Sequence, residues 1–359
     1  MPTGRLRSRW RAPGRVPDDA RQGLAARLRR QADWCGESQE PLYAALLVRA
    51  AEDVEAGGPS WQLLRPHAAK PGSAAVALRF LAGVRRLVLE ERLPDLARAY
   101  AAGDAPAAWP LFRAALVQHQ EELRESVARP CQTNEVGRSA ALLGGFLELA
   151  QAWRLPLRLL EVGASAGLNL RWDRYRYEAG ASAWGDPASP VCLDRLFVAP
   201  PPFQPRQVRV TERSGCDLRP IDPATEEGAL TLASFVWPSN PRRLELLRGA
   251  LQVARGVPVE VERADAATWL ERKLARPVKG SVTVVFHSVF VQYLPRAARE
   301  RIERTLLRAG RAAGIDAPLA WLRLEPGSTT FEVRLTSWPG GGQRLVATCG
   351  SHGQAVRWL

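Results

Sequence analysis

Apolar residues recur at three- and four-residue spacing over residues 24–33, 42–56, 73–91 and 111–128, which predicts four amphipathic helices. Turn-forming clusters, Gly57-Gly58-Pro59 and Lys70-Pro71-Gly72, separate them. No strand-like alternation occurs before Pro156. From there the pattern changes. Leu157-Arg158-Leu159-Leu160-Glu161-Val162-Gly163 reads as a buried strand that runs into a glycine-rich turn. Strand-like segments at 208–216, 259–263, 282–290 and 318–324 then alternate with helical ones at 241–254, 266–274 and 296–313. Segments 331–338 and 344–349 flank Pro339-Gly340-Gly341-Gly342 and predict a terminal hairpin. Strands alternating with helices predict a parallel α/β sheet covered on both faces. The expected organisation is a basic tail (1–16), a helical N-terminal region (17–153) and an α/β domain (154–359). An insertion rich in Trp, Tyr and Pro, at about 171–207, is expected to cover the substrate side or to form a dimer surface.

Length and composition narrow the class. The 359 residues are 46% hydrophobic and 24% charged, the range of ordinary globular proteins. The longest apolar run, 140–153, is interrupted by Glu148 and Gln151 and falls short of the roughly 20 residues of a membrane span. No apolar stretch follows the N-terminal arginines, so a secretory signal is not expected and a cytoplasmic location is. Net charge is +13, and Arg5, Arg7, Arg9, Arg11 and Arg15 supply five of it. Only Lys70, Lys273 and Lys279 are lysine, so the basic balance is nearly all arginine and reads as compositional bias rather than as a phosphate-binding surface. A nucleic-acid partner would be reached through the tail. Five scattered cysteines without a CxxC pair argue against a disulfide scaffold, and four isolated histidines against a protein-built metal centre.

Two chemical readings fit the turn Gly163-Ala164-Ser165-Ala166-Gly167. Glycines at the carboxyl end of a strand let a backbone approach a ligand. The same residues spell G-x-S-x-G, a nucleophile elbow that would make Ser165 a hydrolase nucleophile, with Asp222 or Asp265 and His352 following in chain order. The helical character of the preceding 150 or so residues disfavours the hydrolase topology. A tight turn without a ligand is the third reading.

Glu161-x-Gly163-x-Ser165-x-Gly167 after a hydrophobic strand resembles the first motif of class I S-adenosylmethionine-dependent methyltransferases, with Ser165 in place of the middle glycine. The resemblance implies a Rossmann-like sheet of methyltransferase type and S-adenosylmethionine as cofactor. It places Asp217, in Ser214-Gly215-Cys216-Asp217, at the ribose hydroxyls and Asp265, in Arg263-Ala264-Asp265-Ala266, near the adenine amine. Glu161, Gly163, Ser165 and Gly167 would line the cofactor. Asp217 beside Pro220 reads equally as a turn residue, and Asp265 equally as a helix N-cap. From about Cys35 onward the chain also resembles a bacterial family described only as a domain of unknown function. Residues 132–138, 159–170, 172–175, 215–217, 235–238 and 352–353 carry that resemblance.

For the acceptor, Asn134, Glu135 and Arg138, expected on the first turn of the helix leading into the first strand, offer an acceptor atom, a base and an anion-binding fork. His287, Ser288 and Tyr293 lie at or beyond the end of the fourth strand, with His287 the second candidate base or else a satisfied core residue. The loop after that strand lacks an Asn/Asp-Pro-Pro-aromatic segment and a Pro-Cys pair; Arg129-Pro130-Cys131 lies upstream. A small-molecule or protein acceptor is therefore expected over a nucleic-acid base. Two alternatives stand beside methyl transfer: a non-enzymatic cofactor-binding or sensing protein that keeps the fold, and a serine hydrolase built on Ser165.

Overall fold

The computed structural model describes residues 18–37, 40–70, 75–202 and 208–359. The basic tail at 1–16 and residues 203–207 of the insertion lie outside them. The chain forms two compact units, Met1–Arg129 and Pro130–Leu359.

The first unit is helical, as its apolar spacing predicts: α1 (Asp18–Glu37), α2 (Pro41–Glu55), α3 (Pro59–Leu64), α4 (Val76–Leu89), α5 (Pro94–Ala102), α6 (Ala105–Gln118) and α7 (Gln120–Ala128). Leu42, Leu46, Leu47 and Val54 form the buried stripe of α2. Phe80 of α4 meets Phe112 of α6 edge-on at 5.2 Å. The segment expected as one helix over 111–128 is two, because His119 leaves the helical region at φ −117° and ψ 30°. Buried Asp53 accepts from Ser60 N at 2.7 Å and from Arg113 Nε at 2.8 Å, which ties α2 to the start of α3 and to α6.

The second unit begins earlier than the pattern suggests. Its first helix, α8 (Arg138–Trp153), packs on the sheet, and Phe146 meets Phe286 edge-on at 5.2 Å. The apolar 140–153 run is thus a core helix of the α/β unit and not the end of the helical region.

The strands are β1 (Leu157–Val162), β2 (Arg176–Ala179), β3 (Ser182–Trp184), β4 (Cys192–Leu193), β5 (Phe197–Ala199), β6 (Val210–Asp217), β7 (Glu260–Arg263), β8 (Val282–Ser288), β9 (Leu319–Pro326), β10 (Phe331–Trp338), β11 (Gln343–Cys349) and β12 (Val356–Trp358). Nine of them form one sheet in the order β5-β12-β11-β10-β9-β8-β1-β6-β7. From β7 to β9 every pairing is parallel, and β10 and β11 then run back and forth as the expected hairpin. Every residue of β1 is buried, as a central parallel strand requires.

Between β6 and β7 lie α9 (Glu226–Ser234) and α10 (Pro241–Gly256); α11 (Ala266–Lys273) follows β7 and α12 (Arg296–Arg311) follows β8. Phe146, Leu157, Leu159, Val284 and Phe286 belong to one apolar layer, and Leu160, Val285, Trp269, Ile302 and Leu306 to the other. Both faces of the sheet are therefore covered.

No α-helix follows β1. The connection to β6 holds a 3-10 turn (Asn169–Arg174) and a small sheet ordered β3-β2-β4. Trp172 stacks on Phe146 at 4.4 Å and on Trp184 at 5.4 Å. The Trp172, Tyr175 and Tyr177 side chains are fully buried. These aromatic rings fill the layer that a crossover helix would occupy.

Candidate functional site

The parallel order β7-β6-β1-β8-β9 reverses direction between β1 and β8. In open α/β sheets a crevice forms at the carboxyl ends of the strands flanking such a reversal. Here those ends carry left-handed backbone. Gly163, Ser165 and Gly167 have φ of +68°, +54° and +66°, and Val289, just beyond β8, has φ +53°. A left-handed β-branched residue is a true outlier that persists only where its surroundings impose it. The amide of Val289 donates to Leu324 O at 2.8 Å, and Phe290 lies over Gly163.

Side chains from elsewhere brace the loop 163–167. Asn134 Oδ1 accepts from Ala166 N at 3.2 Å and Leu168 N at 3.1 Å. Ser165 Oγ donates to Gln132 Oε1, while Gln132 Nε2 donates to Arg219 O at 3.1 Å. Asp217, at the end of β6, accepts from Ser165 N at 3.0 Å and Arg219 N at 2.8 Å. Beneath the loop, buried Arg171 donates to the carbonyls of Gly167 and Val257, both at 2.8 Å. The signal for Arg171 in the sequence is an arginine between Leu170 and Trp172, but nothing there says that it faces inward.

Glu161 is 2% exposed, and its Oε2 has no hydrogen-bond partner. Burial pushes its carboxyl well above the usual range; nearby Asp217 pushes the same way, against Arg171 and Arg138. The native state therefore holds a proton that the unfolded chain releases above about pH 4.3, so this group lowers stability as pH rises from that value. Glu161→Gln, isosteric with the protonated acid, is expected to be more stable than wild type by ~1 kcal/mol or more at pH 8, and equal to it at pH 4. Urea unfolding at the two pH values measures this; an equal difference at both would remove the titration from the explanation.

Residues 133–137 do not start a helix. They run non-helically into α8, which begins at Arg138, and Gln132, Glu135 and Arg138 are buried. Glu135 pairs with Arg243 of α10, Nε to Oε2 at 2.7 Å. Burial opposes its ionisation, yet Arg243, His352 and Arg138 together hold its carboxyl below the ordinary range. Arg243 lies over the Trp237 ring at 5.6 Å, and Trp237 meets His352 edge-on at 5.4 Å. The expected base at Glu135 is thus an ionised partner of a buried guanidinium. Arg138 donates to Ser351 O at 3.0 Å and Ser288 O at 3.4 Å, and it has no ion pair among the described residues.

His287 is engaged in the same way. It is 1% exposed, and its Nε2 accepts from Trp321 Nε1–H at 3.0 Å. Nδ1 therefore carries the proton and donates to Glu325 at 2.7 Å. Glu325 also accepts from Phe290 N at 2.9 Å and Val291 N at 3.2 Å. Side chains alternate along a strand, so Phe286 faces α8 while His287 faces away. Its lone pair is engaged; its role is to fix the loop after β8.

Ser288 is half-buried, and Tyr293 is 41% exposed on the turn Val291–Tyr293. Asp265 makes no hydrogen bond to the loop 163–167 among the described residues. It caps α11, accepting from Thr268 N and Oγ1, each at 3.0 Å and both on Oδ1. The backbone joins the two acids: Ala264 N donates to Asp217 O at 3.0 Å. Among the described residues no group of three or more His, Cys, Asp or Glu is placed to hold a metal ion, and no helix is long and apolar enough to cross a membrane.

A family model described as an uncharacterized protein conserved in bacteria (DUF2332) matches residues 25–358. No curated protein and no solved structure matches the chain.

Proposed function

The chain belongs to this bacterial family, and on that premise we propose that it binds S-adenosylmethionine at the loop 163–167 and transfers methyl to a small-molecule or protein acceptor. The observation that carries the reading is the placement of three carboxyl groups, Glu161, Asp217 and Asp265, at the carboxyl ends of the adjacent strands β1, β6 and β7, beside a loop opened by three left-handed residues. The order β7-β6-β1-β8-β9 is also the 3-2-1-4-5 order of Rossmann-type sheets.

The residues have acceptor capacity for such a cofactor. Asp265 Oδ2 has no hydrogen bond among the described residues, which suits an adenine amine. Asp217 Oδ1 has a weak second contact, to Gln132 at 3.5 Å, which a ribose hydroxyl would replace. Glu161 offers a buried, unpartnered oxygen. Dinucleotide sites place a pyrophosphate on a helix N-terminus. Here a 3-10 turn stands behind the loop, so a cofactor without phosphate fits better.

When bound, the cofactor supplies an electrophilic methyl group. The chain's own part is alignment and exclusion of water, because Glu135 and His287 are both engaged. Phe290 packs over Gly163, and Arg138, Ser288 and Tyr293 would orient the acceptor.

Calorimetry with S-adenosylmethionine and S-adenosylhomocysteine tests the reading. Micromolar binding is expected, weakened about tenfold or more in Asp265→Ala, which loses an exposed acid without touching the loop. No binding of either compound would overturn it. Binding without methyl transfer would favour the sensing alternative.

The hydrolase alternative has one supporting feature, the left-handed Ser165 at a strand end. Its Oγ, however, donates to an amide oxygen, and no histidine or carboxylate accepts from it among the described residues. A fluorophosphonate probe is expected to leave Ser165 unlabelled; stoichiometric labelling would reinstate the hydrolase.

A further inference from the structure

At the end of the sheet opposite the loop, where β1, β8 and β9 begin, lies a cavity of about 250 Å³. It is below the size of a drug-binding pocket and far above that of a single water. Leu274, Pro318 and Leu319 supply apolar surface. The room comes from small residues: Ala309 on the last turn of α12, and Ala312 and Ala313 just past its end, line the cavity without filling it.

The charged lining is one-sided. Arg158, Arg276 and Arg308 reach the cavity with a single acid, Glu271. That acid is already held by the Arg301 fork, at 2.8 and 2.6 Å. Arg158 is 7% exposed and only partly satisfied. Its Nε donates to Glu212 at 2.6 Å, while Nη1 and Nη2 make long contacts of 3.4 Å to Lys273 O and Glu212. Arg276 and Arg308 have no ion pair among the described residues. The Thr283 hydroxyl, on the floor, also lacks a partner among them. A buried guanidinium, paired with Glu212 through Nε but with only long contacts at its Nη groups, stands beside apolar walls and two arginines without ion pairs among the described residues, which fits a ligand with one anionic end and a compact apolar body.

We propose that this cavity binds a small monocarboxylate of that shape, independently of the loop at the other end of the sheet. The carboxylate would face Arg158 and Arg308, and the apolar body would lie on Leu274, Ala313 and Leu319.

Titration of the full chain with 4-phenylbutyrate, followed by calorimetry and ligand-observed NMR, tests this. A Kd of about 1 mM or tighter is expected, with 4-phenylbutanamide about tenfold weaker and inorganic phosphate weaker still, because it has charge without the apolar body. Ala313→Leu fills the space and is expected to weaken binding about tenfold while Tm holds or rises. Arg308→Glu, an exposed substitution that leaves the core intact, is expected to weaken the carboxylate and not the amide. The proposal falls if the amide or phosphate binds as tightly as the carboxylate. It falls equally if Ala313→Leu and Arg308→Glu bind like wild type, or if 4-phenylbutyrate does not bind.

Discussion

Gly163→Val is expected to abolish S-adenosylmethionine binding and to lower the Tm of the α/β unit by roughly 5–15 °C while unfolding stays cooperative. Two costs add. At φ +68° a side chain enters a left-handed conformation, worth about 1–2 kcal/mol and more when β-branched. A Cβ at this position would also lie 2.2 Å from Phe290 Cδ2, and relief of such overpacking costs ~1–3 kcal/mol. For a unit of this size each kcal/mol moves Tm by roughly 2–4 °C. The two costs separate in a double variant. Gly163→Val with Phe290→Ala recovers the clash and keeps the backbone strain, so the non-additive part of the Tm change measures the contact. A Gly163→Val protein within 2 °C of wild type that still binds the cofactor would take the loop out of the proposed function.

Acid is expected to destabilise the fold from about pH 6.5 downward, and His352→Gln to remove most of that slope. Burial pushes the His352 imidazole down to about 3; Arg243 and Arg138 act in the same direction, and Glu135 opposes them. An unfolded histidine titrates near 6.5, so between about 6.5 and 3 the unfolded state binds one proton more than the native state. Stability therefore rises with pH across that window and is flat above it, with a limiting slope of about 1.4 kcal/mol per pH unit. Glu135 has the opposite ionisation but the same sign. Its lowered pKa gives stability that is present above about 4.3 and lost as pH falls through the folded value, so it adds only at the acid end. Urea unfolding at pH 8, 6.5 and 5 separates the two. Wild type is expected to lose about 2 kcal/mol between pH 6.5 and 5, and His352→Gln much less. The variant also loses the edge contact with Trp237, which offsets its whole curve, so the slope and not the absolute value is the readout. Parallel curves would show that His352 titrates normally.

Periodicity alone located most of the fold. The spacing of Leu42, Leu46, Leu47 and Val54 determined α2, and the strand-like Leu157-Arg158-Leu159-Leu160-Glu161-Val162 ahead of Gly163 determined β1, which the structure buries at every position. Both follow from local rules: a helix repeats every 3.6 residues and a strand every two, so the apolar positions reveal the element. The strained turn at Gly163–Gly167 was legible for the same reason, because glycines mark left-handed backbone. The serine's φ of +54° was not, since the tertiary bonds to Gln132 and Asp217 impose it.

The partners that the sequence did not reveal share one feature. Glu135 and Arg243 are 108 positions apart, and His287 meets Glu325 across 38 and Trp321 across 34. A histidine at a strand end and a glutamate beside a helix both look like bases until the partners that engage them are in place. The insertion is alike: only the packed chain shows that its Trp172, Tyr175 and Tyr177 fill a missing helix layer. The sequence by itself determined most of the long elements and that a glycine-rich turn follows the first strand. The tertiary structure alone decided which polar groups are free to act, because a buried charge must find its partner, and that partner is set by the packing of distant segments.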